Sequence, residues 1–200
     1  VKPITSGEGG AISTNNKKLF LRIQNLRSHG IKRKLWGKTK NSFDYDIKNL
    51  SYNFRLSEIN CALAFSQLKK IKKFISQRRK IAKIYIQSFK KYEKYINVLN
   101  KDDIQNSAWH LMILSFRNFN FKKDELIKLF LDNGIVIQNH YRPSHTFTYF
   151  KKMNFKLKNS MSYFNNSLSI PIFYSLQKKD IIKIVNIVLK YTNKKIQLKK

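Results

Sequence analysis

Residues Leu56–Lys90 read LSEINCALAFSQLKKIKKFISQRRKIAKIYIQSFK. Leu68, Ile71, Ile75, Ala82, Tyr85 and Phe89 recur at helical spacing with lysines between them, so the stretch predicts one amphipathic helix from about Leu56 to Lys90. At 1.5 Å per residue it would run roughly 50 Å, longer than a small domain is wide. Such a helix either kinks or bridges two domains, so the segments on each side are read separately.

After the helix the pattern alternates. Trp109–Phe116 (WHLMILSF) is an apolar, strand-like run. KKDELIKLFLDNG predicts a helix with Asn120 as its cap and Asn133-Gly134 as its stop. Ile135–Tyr141 (IVIQNHY) reads as a β-branched strand, and Leu168–Phe173 (LSIPIF) as an extended piece stopped by Pro171. Ile181, Ile184, Val185, Val188 and Leu189 give a last helix one buried stripe, with residues 194–200 (KKIQLKK) read as a frayed tail. Alternating strands and helices predict an α/β unit. Before the long helix, Gly10–Thr14 reads as a short strand. Asn15 or Asn16 caps a helix closed by Gly30, and residues 31–50 read as irregular.

Composition narrows the function classes. The 42% apolar and 14% aromatic residues are enough to build a core, which argues against global disorder. The single Cys61 excludes a disulfide framework and fits a reducing cytosol, and no apolar run approaches the ~20 residues needed to cross a bilayer. Four histidines and one cysteine show no metal-ligand spacing, so no metal is expected. The net charge of +30 comes from 41 Lys+Arg against 11 Asp+Glu and attracts phosphate groups. Those basic residues are spread along the chain, most of them from Lys17 to Lys200, among many Asn, Ile, Phe and Tyr, the composition of A/T-rich coding. Charge alone does not choose a function.

The start of the chain, VKPITSGEGGAISTNN (Val1–Asn16), places one lysine before a glycine-rich loop, a pattern that by itself fits a solvated lysine as well as a reactive one. Pro3 holds Lys2 out of the α region, and Gly7, Gly9 and Gly10 allow a sharp turn or close approach to a ligand. The spacing is not that of a phosphate-binding P-loop. This stretch resembles the active-site lysine segment of the DegT-type nucleotide-sugar aminotransferases. Leu26–Ile31 (LRSHGI), Leu50–Ile71 (LSYNFRLSEINCALAFSQLKKI), Ala108–Phe116 (AWHLMILSF), Asn139–His145 (NHYRPSH) and Leu168–Phe173 (LSIPIF) are similar to later motifs of that family, in the same order. Within it, the nearest branch by these motifs is the one acting in pseudaminic acid synthesis.

The resemblance implies a fold and a chemistry. The fold is the C-terminal part of a fold type I pyridoxal-phosphate (PLP) transferase: the end of the large domain in residues 1–75, including the start of the long connecting helix, and a small α/β domain in residues 76–200. Roughly half of a family member would then lie upstream, including most of the cofactor pocket, and the isolated first part would expose apolar surface. Lys2 is implied as the lysine that binds PLP, with catalysis as its second role; a related dehydrating branch carries His there. Asn53 matches the asparagine that reaches the partner subunit's PLP phosphate, and Arg55 is read either as a second anion contact or as a member of a surface ion pair. Asn139, His140, Tyr141 and Arg142 match the segment touching the nucleotide sugar, although family members commonly carry an aliphatic residue at the position of Arg142. His29 and His110 are read as hydrogen-bonded structural residues.

The implied reaction moves an amino group from L-glutamate to C4 of a UDP-linked 4-keto-6-deoxy-N-acetyl sugar. It would be carried out by a cytoplasmic homodimer at full length, without membrane or specific nucleic-acid partners. Two alternatives are a truncated, inactive aminotransferase fragment and a basic nucleic-acid-binding protein, although the chain carries no recognised nucleic-acid module.

Overall fold

The computed structural model describes residues 2–33 and 45–198. The chain divides into two units, residues 4–70 and residues 71–200 together with 1–3.

The unit of residues 4–70 begins in a loop. Gly10–Thr14, expected as a strand, has no ladder partner among the described residues and is irregular. Helix α1 (Lys17–Leu26) starts where Asn16 Oδ1 accepts the Leu19 N–H at 3.1 Å, the expected cap. Past its end His29 and Gly30 both take positive φ, 62° and 69°. A Cβ on Gly30 would overlap the Asn49 carbonyl, so only glycine fits that step. The following segment runs back along this turn: Ser51 Oγ donates to the Leu26 carbonyl (2.7 Å), His29 N–H to Tyr52 (3.0 Å) and Phe54 N–H to Arg27 (2.9 Å).

Residues 31–50 are not wholly irregular as expected. Strands β1 (Ile31–Arg33) and β2 (Tyr45–Ile47) pair antiparallel, Ile31 opposite Ile47, while residues 34–44 lie outside the described residues. Hydrophobic side chains stay open to solvent in this unit, with Leu50 95% and Ile59 83% exposed, in line with the apolar surface expected of it.

Helix α2 (Glu58–Phe89) is the long helix read from the sequence, and the unit division falls within it. Its apolar stripe is buried only in the second half. Ile81, Ala82, Tyr85 and Phe89 are buried, Ile71 and Ile75 are half-buried, and Leu68 is exposed.

The core of residues 71–200 forms around an antiparallel sheet, β3 (Ile96–Val98), β4 (Met112–Phe116) and β5 (Ser167–Ile170), with β4 central. β4 alternates buried and half-buried positions, the period of a strand with one face on the core. It is shorter than the predicted run because Trp109 takes φ 47°, outside strand geometry, and packs as a buried side chain instead. Helices α3 (Lys123–Asp132), α4 (Thr148–Lys151), α5 (Lys158–Asn166) and α6 (Lys178–Gln197) complete the unit. Ile181, Ile184, Val185 and Val188 of α6 are buried as expected, Leu189 is partly so, and the helix persists through Gln197 where a frayed tail was expected.

Two further expectations change for local reasons. Asn120 does not cap α3; its N-cap is Lys122, whose side chain makes no cap bond. The Tyr191 hydroxyl holds the backbone of Lys122 itself, accepting its N–H (2.8 Å) and donating to its carbonyl (3.0 Å). Asn133 and Gly134 (φ 72°) end the helix as read. Ile135–Tyr141 is not a strand, since it meets β5 only at the Gln138–Ser169 bridge.

Pro171 ends β5 and leaves carbonyls without ladder partners. Helix α2 supplies the donors. Tyr85 OH donates to the Pro171 carbonyl (3.0 Å), and Arg78 donates to those of Ile172 (2.9 Å), Trp109 (2.9 Å) and His110 (3.3 Å). Arg78 is 3% exposed, and burial draws its pKa below the ordinary arginine value.

Arg78→Met should lower unfolding stability by about 3 kcal/mol, because it strands buried acceptors. Tyr85→Phe, which loses one bond, should cost about 1 kcal/mol; urea midpoints measure both.

Lys123 gives a second prediction. Its ammonium donates to the Phe164 carbonyl and lies 4.2 Å from the Phe164 ring centroid, and burial lowers its pKa to about 8 against an opposing pull from Asp124. Above that value the folded protein releases a proton that the unfolded chain still holds, so this contribution to stability rises with pH, from about pH 8 up to the ordinary lysine value of 10.5. Lys123→Met should remove that rise, read as the difference in melting temperature between the two proteins across the same pH range.

Candidate functional site

In the unit of residues 71–200 with 1–3, Lys2, His110, Gln138, Asn139, His140 and Tyr141 line a recess of about 480 Å³. A second recess, about 730 Å³, shares His110, Gln138 and His140 and continues along Ile135, Ser169 and Ile172. Each wall has a structural cause. Residues 138–140 follow the single bridge to β5, where Gln138 and Ser169 exchange both backbone bonds (2.8 and 3.2 Å). His110 precedes β4 and its carbonyl accepts from Arg78.

His140 is held at two points. Its Nδ1 lies 2.7 Å from Ser169 Oγ, and its carbonyl accepts the Tyr163 hydroxyl at 3.0 Å. Burial first, and then the nearby Lys2 ammonium, pull its pKa below the ordinary histidine value. The Asn139 Oδ1 is buried without a hydrogen-bond partner, an acceptor suited to a ligand hydroxyl or N–H. Tyr141 is 67% exposed at the recess edge.

The other residues singled out in the sequence lie elsewhere. Arg142 is not among the recess residues; its guanidinium donates to Thr146 Oγ1 (2.9 Å) and the Thr146 carbonyl (3.2 Å). Asn53 and Arg55 belong to the unit of residues 4–70 and pair with each other, Arg55 Nε donating to Asn53 Oδ1 at 3.0 Å. Gln138, Ser169 and Tyr163 were not singled out in the sequence; Ser169 on β5 and Tyr163 on α5 reach His140 across 29 and 23 positions, which spacing does not reveal. His110, read as structural, also lines the recess. Among the described residues no cluster of His, Cys, Asp and Glu suits a metal ion, and no helix is long and apolar enough to cross a membrane.

The glycine-rich loop after Lys2 is strapped to the first turns of α2. Asn60 Nδ2 donates to the carbonyls of Ser6 (2.5 Å) and Glu8 (3.2 Å), while Asn60 Oδ1 accepts the Ser57 hydroxyl. Gly7 and Gly9 take positive φ (77° and 139°), and a Cβ on Gly9 would press into the Leu56 side chain. Asn60→Ala should raise amide hydrogen exchange at Gly7–Gly10 about tenfold while leaving β4 unchanged.

Comparison with known proteins gives three findings. Residues 1–189 match the model of the DegT/DnrJ/EryC1/StrS aminotransferase family. The chain is 40% identical over 184 residues to a UDP-4-amino-4,6-dideoxy-N-acetyl-beta-L-altrosamine transaminase of Campylobacter jejuni, covering 90% of this chain and 47% of that protein. It is 31% identical over 194 residues to the Helicobacter pylori protein of the same name, covering 95% and 50%. Among solved structures it superposes on Helicobacter pylori PseC, an aminotransferase involved in the biosynthesis of pseudoaminic acid. That match has a TM-score of 0.83 and 29% identity, over 97% of this chain and 51% of that one. The chain thus spans about half the length of the relatives it matches.

Proposed function

The chain belongs to the DegT/DnrJ/EryC1/StrS aminotransferase family, and from that premise we propose that its residues serve PLP-dependent amination of a UDP-linked 4-keto-6-deoxy-N-acetyl sugar, with L-glutamate as amino donor. The observation that carries this reading is the recess in which a primary amine, Lys2, stands with Asn139, His140 and Tyr141. Its donor set fits the aldehyde end of the cofactor and a sugar bearing hydroxyls. Lys2 offers the amine, and Asn139 Oδ1 is an acceptor still without a partner. The names of the Campylobacter and Helicobacter relatives support the choice of sugar.

PLP, when bound, supplies the electron sink that lets an amino group leave one carbon and join another. The rest falls to this chain. Lys2 Nζ would hold the cofactor at its aldehyde carbon, with water as the leaving group, and would serve as the base for the proton on the α-carbon of the amino donor. Asn139, His140 and Tyr141 orient the sugar. Asn53 and Arg55 carry donors suited to a phosphate, and in a cytoplasmic homodimer they would serve the cofactor of the partner subunit. Residues 1–75 then belong to the cofactor-binding domain and 76–200 to the small domain. Arg142, turned to Thr146, has a secondary place in sugar recognition.

In the full-length context, adding PLP should give an absorbance band of the lysine-bound cofactor, and borohydride should fix the label to Lys2. Lys2→Ala should abolish both and reduce transamination at least about a thousandfold. A protein that stays colourless, or one labelled equally after the substitution, would refute the reading.

A further inference from the structure

His140 carries a hydrogen bond that the proposed chemistry has not used. Ser169 lies on β5, 6% exposed, its backbone fixed by the two bonds to Gln138. Its hydroxyl lies 2.7 Å from His140 Nδ1, the one hydrogen-bond partner of that hydroxyl among the described residues. A buried hydroxyl hydrogen left without an acceptor costs about 1–3 kcal/mol, so the favoured arrangement has Ser169 donating and Nδ1 accepting. The ring proton then sits on Nε2. The Tyr163 bond to the His140 carbonyl fixes the backbone from which the ring projects, so the ring is held from both ends.

We propose that Ser169 is a positioning residue that locks His140 in its Nε2–H tautomer, making His140 a hydrogen-bond donor toward an oxygen of the nucleotide sugar in the recess beside Lys2. The sugar as target rests on the reading above, whereas the tautomer does not. The alternative tautomer would leave Nε2 as an acceptor and favour a ligand N–H or hydroxyl proton instead, so Ser169 decides which ligand atom His140 can read.

Long-range proton–nitrogen NMR of the ¹⁵N-labelled chain measures this directly, with the His140 signals assigned by their loss in His140→Gln. The wild-type ring should show a protonated Nε2 and a bare Nδ1. Ser169→Ala should raise the share of the Nδ1–H form about fivefold, the shift that loss of one hydrogen bond predicts. Ser169→Thr, which keeps the hydroxyl, should restore the wild-type ratio. If Ser169→Ala does not fold, Ser169→Cys preserves the volume with a weaker donor and makes the same comparison. A wild-type Nδ1–H tautomer, or a ratio indifferent to the loss of the hydroxyl, would overturn the proposal. Failure of the aminotransferase reading would look different, with no cofactor at Lys2 and the His140 tautomer unchanged.

Discussion

One buried guanidinium ties the larger unit together. Arg78 projects from the second half of α2 and takes up the carbonyls of Trp109 and His110, just before β4, and of Ile172, just after β5. These are the places where the sheet cannot satisfy its own backbone. Pro171 stops β5, and the turn at Trp109 delays the start of β4. One nitrogen, Nη1, meets all three carbonyls, and the planar guanidinium fixes the direction of its N–H groups more firmly than a freely rotating ammonium would. The cost of burying the charge is offset because it is spent on groups that would otherwise be buried without partners.

The candidate site inherits its order from that arrangement. His110 and Ile172, whose carbonyls Arg78 holds, line the recesses, and Ser169 sits two residues before Pro171. Side chains that would contact a ligand therefore stand on backbone fixed by the sheet, by Arg78 and by Tyr163. A network of this kind fixes the donor and acceptor directions of the groups that line the recess. The unit of residues 4–70 is built differently. Its order comes from caps, positive-φ turns and side-chain straps such as Asn60 and Ser51, while large apolar side chains such as Leu50 and Ile59 remain in solvent.

Much of this was legible in the residues themselves. The period of α2, the stripe of α6, the Asn16 cap and the Asn133-Gly134 stop are local signals, because helix spacing and turn conformation depend on neighbours within a few positions. Family motifs in order along the chain identified the fold, and the match over residues 1–189 agrees with them. Strand assignments fared worse. Gly10–Thr14 and Ile135–Tyr141 have the composition of strands, yet a strand exists only where another segment pairs with it. β3, three residues long, gave no periodic signal at all.

The sequence by itself determined the presence of α1, α2, α3 and α6, the stop at Asn133-Gly134, the family and a lysine beside a glycine-rich turn, all of which depend on short-range chemistry or on ordered motifs. Only the tertiary structure decided that Arg78, outwardly one more cation in a chain of net charge +30, is a buried clamp. It also decided that Ser169 meets His140 across 29 positions, and that Arg142 bonds to Thr146. Side-chain direction at such positions is set by packing and by the need to satisfy buried backbone groups, and those partners lie too far along the chain for spacing to reveal them.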